Sequence, residues 1–327
     1  MARLRRVIAR ADGVRVVVLT YGTGGEYRPL LAALLASGLE PSSIALVHNP
    51  SAPGEAAPDD VDGCEVIAAS HNLGYAAGMN LGIARQLVRP CDFLLLLTHD
   101  ARLRAGSMER FLAAARANPR FGALGPVLLL TGTETPFSYG GIDLGGAGLD
   151  HRKVAPAATG LVSRCDWIDG GTMLLRADVL RRVGGFDAQF WGYAEDVDLC
   201  LRIRRAGFGV GVVLAARADQ DPGGTKRPGP WAYLMTRNGL VYAYRSAGPR
   251  GLALMASRTV LSILYELLRV LVLATPLRKG SPREPWAVAI GRSRGLVDYC
   301  LRRWGPPPPG LPGGGDLKNV ERPEVVL

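Results

Sequence analysis

Residues 93–100 are Phe-Leu-Leu-Leu-Leu-Thr-His-Asp, an unbroken apolar run that ends in three polar residues. Five apolar residues without alternation predict a strand that is buried on both faces of a sheet. In open α/β sheets, ligands bind outside the carboxyl ends of such strands, which is where Asp100 falls. An Asp after a strand is also a common turn residue. Asp100 is therefore a candidate metal ligand that other segments must support.

Strands and helices alternate around this run. Apolar, β-branched stretches predict further strands at 14–19, 44–47 and 65–68, and helical patterns follow at 29–38, 75–87 and 106–117. Alternating elements predict an α/β fold, with a parallel, doubly wound sheet flanked by helices.

The predicted domain organisation follows from these elements and from composition. We expect a catalytic domain at 14–245, made of a donor-binding half at 14–130 and an acceptor and base half at 160–245. A basic arm at 1–13 precedes it, and an amphipathic helical region at 246–304 follows. Pro and Gly predict a disordered tail at 305–327. The Gly-rich segment 138–153 predicts a mobile loop.

Composition limits the class of protein without choosing a function. The chain has 327 residues, 48% of them hydrophobic and 21% charged, which is typical of a globular protein. Its net charge of +10 favours anionic partners, but no zinc-binding or nucleic-acid-reading pattern is present, so no nucleic-acid partner is expected. Five scattered cysteines without a CxxC pair indicate a reducing compartment. No signal-peptide pattern follows the basic start, so a cytoplasmic location is predicted.

A second acidic constellation lies at 186–208, Phe-Asp-Ala-Gln-Phe-Trp-Gly-Tyr-Ala-Glu-Asp-Val-Asp-Leu-Cys-Leu-Arg-Ile-Arg-Arg-Ala-Gly-Phe. A helix beginning near Glu195 would carry Glu195, Asp196 and Asp198 in its first turn. Such acids complement the helix dipole. The preceding aromatic residues, Trp191 among them, would also wall the acids into a cleft, where a desolvated carboxylate can act as a general base.

Small residues from Asn72 to Asn80, with Gly74 and Gly78 among them, form a third segment. They would allow a flat or phosphorylated ligand to approach the start of a helix. Tight packing of that helix explains them equally well.

Together these segments resemble the inverting family-2 glycosyltransferases, in particular their bacterial rhamnosyltransferase-like branch, over about residues 14–304. The resemblance depends on five segments and on two later ones at Arg237-Asn238 and 294–299. The five are Leu19-Thr20-Tyr21, Asn72-Leu73-Gly74-Tyr75 with Asn80, Thr98-His99-Asp100, Gly184-Gly185-Phe186-Asp187 and Glu195-Asp196-Val197-Asp198-Leu199.

The resemblance implies a GT-A fold and inverting transfer of a sugar, such as rhamnose from dTDP-rhamnose or a sugar from a UDP donor, to an acceptor hydroxyl. It implies a glycan, lipid-linked or small-molecule acceptor and a Mg²⁺ or Mn²⁺ cofactor. Asp196 would be the general base, with Glu195 beside it, and Asp100 and Gln220 would face the metal. The donor side would comprise Thr20, Tyr21, His48, Asn72, Gly74, Asn80, Thr98 and His99, and the acceptor side Trp191, Gly170 and Gly171.

Two departures from the family pattern keep other functions open. Val47-His48-Asn49 stands where relatives have Val-Asp-Asn, and Gln220 stands where many have His, although Asp219 or Asp221 could be the true ligand. An amide is a weaker metal ligand than imidazole. A GT-A module that only binds nucleotide-sugar or glycan is one alternative, and a nucleotidyltransferase is the other.

The apolar stretch 252–275 has the length of a membrane span but carries charged residues. Arg258, Ser262, Glu266 and Arg269 share one stripe of a helix, with a wide apolar face opposite. Such a helix suits peripheral contact with the inner face of an anionic membrane, with flanking Arg and Lys residues assisting. Packing on the catalytic domain or on a second copy in a homodimer is an equally good explanation.

Overall fold

The structure is a computed structural model, and it describes residues 13–22, 27–59, 61–145, 148–157, 160–220, 227–273 and 281–313. These form two compact units. The first comprises Met1–Ile142, Asp150–Asp187 and Asp196–Pro222, and the second comprises Asp143–Leu149, Ala188–Glu195 and Gly223–Leu327. Most of the basic arm predicted at 1–13 lies outside the described residues.

A large sheet forms the centre of the first unit, with strand order β10-β12-β6-β11-β4-β1-β2-β3. Two short strands extend it, because β5 pairs with β12 and β7 pairs with β6. The strands are β1 (Val14–Tyr21), β2 (Ile44–Asn49), β3 (Glu65–Ala68), β4 (Phe93–Thr98), β5 (Arg102–Leu103), β6 (Phe121–Leu129), β7 (Pro136–Ser138), β10 (Val162–Arg164), β11 (Thr172–Arg176) and β12 (Gly209–Asp219).

The apolar run in β4 lies inside this sheet. Its neighbours are β1, which is parallel, and β11, which is antiparallel, and Leu94 to Leu97 have no exposed surface. The predicted buried strand is confirmed. The sheet is mixed, however, because β11 enters antiparallel between β4 and β6, so only the half from β3 to β4 is parallel throughout.

Five helices accompany the sheet: α1 (Tyr27–Ala36), α2 (Gly74–Leu87), α3 (Ser107–Ala117), α4 (Ala177–Val183) and α5 (Glu195–Arg205). The small residues of α2 allow close packing on the strands. A methyl group added at Gly82 would lie 2.3 Å from Val17 Cγ1, and one at Gly78 would lie 2.9 Å from Leu19 Cδ1. The packing explanation therefore fits Gly78, and Gly82, which lies beyond the predicted segment, packs in the same way.

Two helices dominate the second unit, α6 (Pro228–Leu273) and α7 (Arg283–Cys300). Helix α6 is kinked at Gly248, whose φ of 65° and ψ of −153° are not helical, just before Pro249. Among the described residues, no helix has both the length and the apolar character needed to cross a bilayer.

Two expectations about irregular segments are corrected. The Gly-rich segment predicted as a mobile loop contains β8 (Gly141–Asp143) and β9 (Leu149–His151), which pair in a small separate sheet. Residues 305–308, predicted to be disordered, are buried, and the Gly305 carbonyl accepts a hydrogen bond from Arg237. Pro and Gly were therefore poor indicators of disorder here, since tertiary contacts order them. Residues 314–327 lie outside the described residues.

Candidate active site

The ends of β1 and β2 bring Thr20 and His48 together. The parallel register places Thr20 opposite His48, and Thr20 Oγ1 lies 3.4 Å from His48 Nδ1. Both side chains are buried, while the neighbouring Tyr21 is exposed. His48 Nε2 has no hydrogen-bond partner among the described residues. A buried nitrogen without a partner carries a desolvation cost that a ligand could remove.

Asn72 shapes the start of α2. Its side-chain oxygen accepts hydrogen bonds from the Gly74 amide at 2.9 Å and from Asn49 Nδ2 at 3.1 Å. Asn49 in turn accepts a bond from the Leu73 amide. Gly74 has a φ of 75°, a conformation that favours glycine. These contacts fix the helix terminus that was predicted to face the donor.

Asn80 fixes the backbone at Phe186 through two hydrogen bonds. Its Nδ2 donates to the Phe186 carbonyl at 2.7 Å, and its Oδ1 accepts from the Phe186 amide at 2.9 Å. A methyl group at Gly185 would lie 2.3 Å from Asn80 Oδ1, so glycine is required for this approach. The side chain assigned to donor binding by resemblance thus holds the turn between α4 and α5.

The residues after β4 meet Gly171 and Gln220. The Thr98 amide donates to the Gly171 carbonyl at 3.1 Å, and the His99 amide donates to the Leu19 carbonyl at 2.9 Å. A methyl group at Gly171 would lie 3.5 Å from both Gln220 Oε1 and Thr98 Oγ1. The Gln220 amide therefore lies at the end of β4, as its assignment to the metal side requires.

The neighbouring acid Asp219 is engaged elsewhere. Arg104 contacts Asp219 Oδ1 through Nε at 2.9 Å and through a terminal guanidinium nitrogen at 2.8 Å. Asp219 is therefore already paired with an arginine, whereas the Gln220 amide lies at the end of β4. Asp221 lies outside the described residues.

Asp196 is held by two backbone amides. Its Oδ2 accepts from the Gly170 amide at 2.9 Å, and its Oδ1 accepts from the Val197 amide at 2.8 Å. The Gly170 carbonyl accepts a bond of 2.5 Å from the Tyr75 hydroxyl, and a methyl group at Gly170 would lie 2.7 Å from that hydroxyl. Desolvation raises the pKa of Asp196 although the two amides oppose the shift. A fixed carboxylate with raised proton affinity suits a general base.

A second acid beside Asp196 was missed in the sequence. Burial, followed by repulsion from Asp196, raises the pKa of Asp169 to about 8. His151 Nδ1 lies 3.8 Å from Asp169 Oδ2, and burial lowers the pKa of His151, so its imidazole is neutral near pH 7. Its position in the sequence could have revealed it, because Asp169 directly precedes Gly170 and Gly171, and both glycines were assigned to the site.

The third acid of α5 has a structural role. Asp198 is buried, and its Oδ2 accepts from Arg202 Nε at 2.8 Å. Arg202 also donates to the Val183 and Gly185 carbonyls. The acid cluster thus divides between a candidate base and an ion pair that supports the preceding turn.

Within the second unit, Arg237 and Asn238 donate hydrogen bonds to the segment 188–195. This segment ends at Glu195, the acid that directly precedes Asp196. Asn238 Nδ2 donates to the carbonyls of Phe190, Gly192 and Tyr193, each at 2.8 Å. Arg237 donates to the Gln189 and Phe190 carbonyls.

The held segment has an uncommon backbone conformation. Trp191, Tyr193 and Ala194 have φ values of 61°, 66° and 71°, which side-chain-bearing residues rarely adopt. Trp191, predicted to lie on the acceptor side, thus belongs to a backbone that Arg237 and Asn238 determine. Glu195 is buried at its end and is followed directly by Asp196.

The candidate metal ligands suit a shared cation rather than a closed protein site. Among the described residues, no group of three or more His, Cys, Asp or Glu side chains could hold a metal ion. Asp100 is exposed and Gln220 is partly exposed. One carboxylate and one amide oxygen fit Mg²⁺ or Mn²⁺ only where substrate phosphates and water supply the other ligands.

Comparison with known proteins identifies the family of this chain. Residues 11–243 match the family model described as glycosyltransferase like family 2. The chain is 29% identical over 222 residues to N-acetylglucosaminyl-diphospho-decaprenol L-rhamnosyltransferase of Mycobacterium tuberculosis, covering 60% of this chain and 72% of that protein. It is also 37% identical over 71 residues to rhamnosyltransferase WbbL of Escherichia coli K12, covering 22% of this chain and 27% of that protein.

A solved structure supports the fold. The crystal structure of GalNAc-T7 with UDP, GalNAc and Mn²⁺ superposes with a TM-score of 0.52 at 12% identity, covering 71% of this chain and 52% of that one. The α/β fold of GT-A type, predicted from the sequence, is confirmed in a mixed form.

The chain belongs to the family-2 glycosyltransferases. Within that family it is similar to the rhamnosyltransferase branch, and it is a glycosyltransferase that takes a nucleotide-sugar donor.

Proposed function

We propose that this protein is an inverting glycosyltransferase in which Asp196 is the general base. The observation that carries the proposal is the Asp196 carboxylate, which the Gly170 and Val197 amides orient and desolvation makes more basic. Asp169 supports this role, because its raised pKa keeps it protonated near neutral pH while Asp196 accepts the proton.

The reaction follows from the role of a single base. The acceptor hydroxyl oxygen attacks the anomeric carbon from the face opposite the diphosphate, and its proton passes to Asp196. The bond from the anomeric carbon to the diphosphate oxygen breaks, and the nucleoside diphosphate leaves with the electron pair. One displacement inverts the anomeric configuration, by the geometric logic of inverting glycosidases. No covalent sugar intermediate forms.

For the donor side we propose the carboxyl ends of β1, β2 and β4. His48 Nε2, which has no partner among the described residues, would bond the nucleotide at the place where relatives carry Asp. Thr20, Tyr21, Thr98 and His99 would line the same edge, and the α2 terminus at Gly74 would face the phosphates.

Asp100 and the oxygen of Gln220 would hold a Mg²⁺ or Mn²⁺ ion together with the diphosphate. When bound, the cation offsets the charge that develops on the leaving group. The protein contributes few ligands of its own, so we expect the ion to bind mainly with the donor.

We propose dTDP-rhamnose as the donor sugar and a lipid-linked acceptor at the inner face of a membrane. The similarity to two rhamnosyltransferases supports the sugar. The name of the Mycobacterium tuberculosis relative specifies N-acetylglucosaminyl-diphospho-decaprenol, which supports the lipid. The Gly170 amide bonds Asp196, Gly171 follows it in the chain, and Trp191 lies in the segment that leads to Asp196, which supports their place on the acceptor side.

A donor panel tests the proposal. Purified protein is incubated with dTDP-rhamnose or with UDP-sugars, Mn²⁺ and an N-acetylglucosaminyl-diphospho-polyprenol acceptor, whose sugar carries free hydroxyls, and the released nucleotide is identified. We expect nucleoside diphosphate, dTDP above all, and an inverted anomeric configuration by NMR. Release of pyrophosphate would indicate a nucleotidyltransferase, and donor binding without turnover would indicate a binding module. A retained configuration would contradict the single displacement.

A further inference from the structure

The outer segment of α6, residues 249–273, exposes its apolar side chains. Nine large apolar residues there have between 36% and 68% of their surface exposed: Leu254, Val260, Leu261, Leu264, Tyr265, Leu267, Leu268, Leu271 and Val272. Leu261, Leu264, Leu268 and Leu271 follow one another at spacings of three and four residues. They therefore form one continuous stripe, which we call the leucine stripe.

The opposite face of the same segment is polar and buried. Thr259 and Glu266 are 2% and 8% exposed. Glu266 Oε2 accepts from Arg269 at 2.8 Å, and Glu266 also lies near Arg292 of α7, where it offsets part of the lowering of the Arg292 pKa by burial. A helix that packs on a protein core normally buries its apolar face and exposes its polar one. Among the described residues this arrangement is reversed, and the apolar face is left exposed.

The charges of the segment distinguish between partners. Its exposed charged side chains are Arg250, Arg258 and Arg269, whereas its single acid, Glu266, is buried. A second copy that paired along the leucine stripe would bring like charges towards each other. An anionic lipid surface would instead attract Arg250 and Arg258, whose charges Glu266 does not offset as it does that of Arg269, and would accept the leucines among its acyl chains.

We propose that the leucine stripe docks on an anionic lipid bilayer, with α6 lying along the surface and its arginines among the lipid phosphates. Since no described helix could span a bilayer, the contact is peripheral. This proposal rests on the proposed function only in explaining what the membrane contact is for, which is to bring the protein to a lipid-linked acceptor. Binding is therefore tested without turnover.

The test measures sedimentation of the full chain with vesicles of phosphatidylcholine, with and without phosphatidylglycerol, at low salt. We expect binding to the anionic vesicles and loss of about tenfold or more in affinity for the triple variant Leu261→Gln, Leu264→Gln, Leu268→Gln. The matched control removes equally exposed apolar side chains from other surfaces, Val88→Gln, Leu144→Gln and Leu161→Gln, and should bind as the wild type does. Circular dichroism and thermal melting confirm that both variants fold.

Insertion is measured separately with Leu264→Trp and brominated acyl chains. Quenching that exceeds that of the wild type and of Leu161→Trp supports the proposal. Absence of wild-type binding to anionic vesicles, equal binding by both triple variants, or unchanged quenching would overturn it. A concentration-dependent dimer that the leucine triple variant abolishes would assign the stripe to a second copy and would also overturn it. Failure of sugar transfer with vesicle binding intact would contradict the proposed function alone.

Discussion

The two acids proposed here for catalysis and metal binding, Asp196 and Asp100, have contrasting surroundings. Asp196 receives hydrogen bonds from two backbone amides, has a second acid beside it and has a raised pKa. Asp100 is exposed at a strand end, and no three-residue metal cluster exists among the described residues. On the proposed mechanism, the protein itself builds the proton-accepting end of the site, whereas the phosphates of the donor would complete the metal end.

The largest effect is expected at the base. Asp196→Asn keeps the shape of the side chain but removes the proton acceptor, so turnover should fall by about a hundredfold or more with donor affinity retained. Steady-state rates and donor binding by calorimetry measure this. Asp178→Asn, an exposed acid paired with Arg176, is the control and should be active. Turnover near the wild-type rate in Asp196→Asn would remove the assignment.

Asp100→Ala should have a smaller effect, of about tenfold to a hundredfold, because phosphate oxygens and water would still hold part of the cation shell. A chelator should suppress the wild type more completely, and excess Mn²⁺ should restore it. Activity is measured across a metal titration. Asp219→Asn, which removes the carboxylate paired with Arg104, is titrated in parallel for comparison. Full activity in the chelator would show that no metal is needed.

Asn238→Ala tests the segment before the base. It removes three hydrogen bonds from a backbone in which each left-handed residue costs about 1–3 kcal/mol. We expect acceptor KM to rise and kcat to fall, together about tenfold, with donor affinity unchanged. Asn238→Asp, which keeps the shape but loses the donor group, should behave similarly. An equal loss of donor and acceptor affinity would indicate general unfolding instead.

Asp169→Asn should change pH dependence more than rate. The native pKa of about 8 exceeds the unfolded value of about 3.9, so the native state binds more protons between them. The contribution of Asp169 to wild-type stability should therefore be greatest below about pH 4 and be lost as pH rises through about 8.

The Asn variant lacks that decline, so its stability relative to the wild type should increase from about pH 5 to about pH 9 in urea titrations. Turnover near pH 7 should change less than about threefold, because Asn resembles the protonated acid. In the wild type, Arg176 lowers the pKa of the Asp178 carboxyl. The stability of Asp178→Asn relative to the wild type should therefore not rise with pH in this range. Parallel stability curves for wild type and Asp169→Asn would contradict a buried, protonated Asp169.

The last prediction is a gain rather than a loss and concerns Gln220, which lies beside Thr98 and Gly171. Gln220→His places a stronger ligand at the metal end, so the half-saturating Mn²⁺ concentration should fall by about threefold to tenfold. A metal titration with turnover and with direct Mn²⁺ binding measures it. No change in this variant, with a large loss in Asp219→Asn or Asp221→Asn, would move the metal site to a neighbouring acid.

The sequence predicted the local elements well because each has its own local pattern of apolar, small or charged residues. The buried strand at 93–98, the helix from Glu195 and the small-residue helix α2 all lie where their patterns indicated. The position of β11 was beyond such reasoning, because strand order depends on contacts between distant segments. The packing of Gly305 to Pro308 was missed for the same reason, since Pro and Gly show only what a segment can adopt alone.

The site divides in the same way. The sequence by itself determined that Asp196 opens a helix and that Asp100 follows a buried strand, because both facts are local. Only the tertiary structure decided that Asp169 lies beside Asp196 and that Arg104 forms an ion pair with Asp219. It also decided that α6 exposes leucines and buries Glu266. A helical period fixes which residues share a face, but the direction of that face depends on what the rest of the chain packs against it.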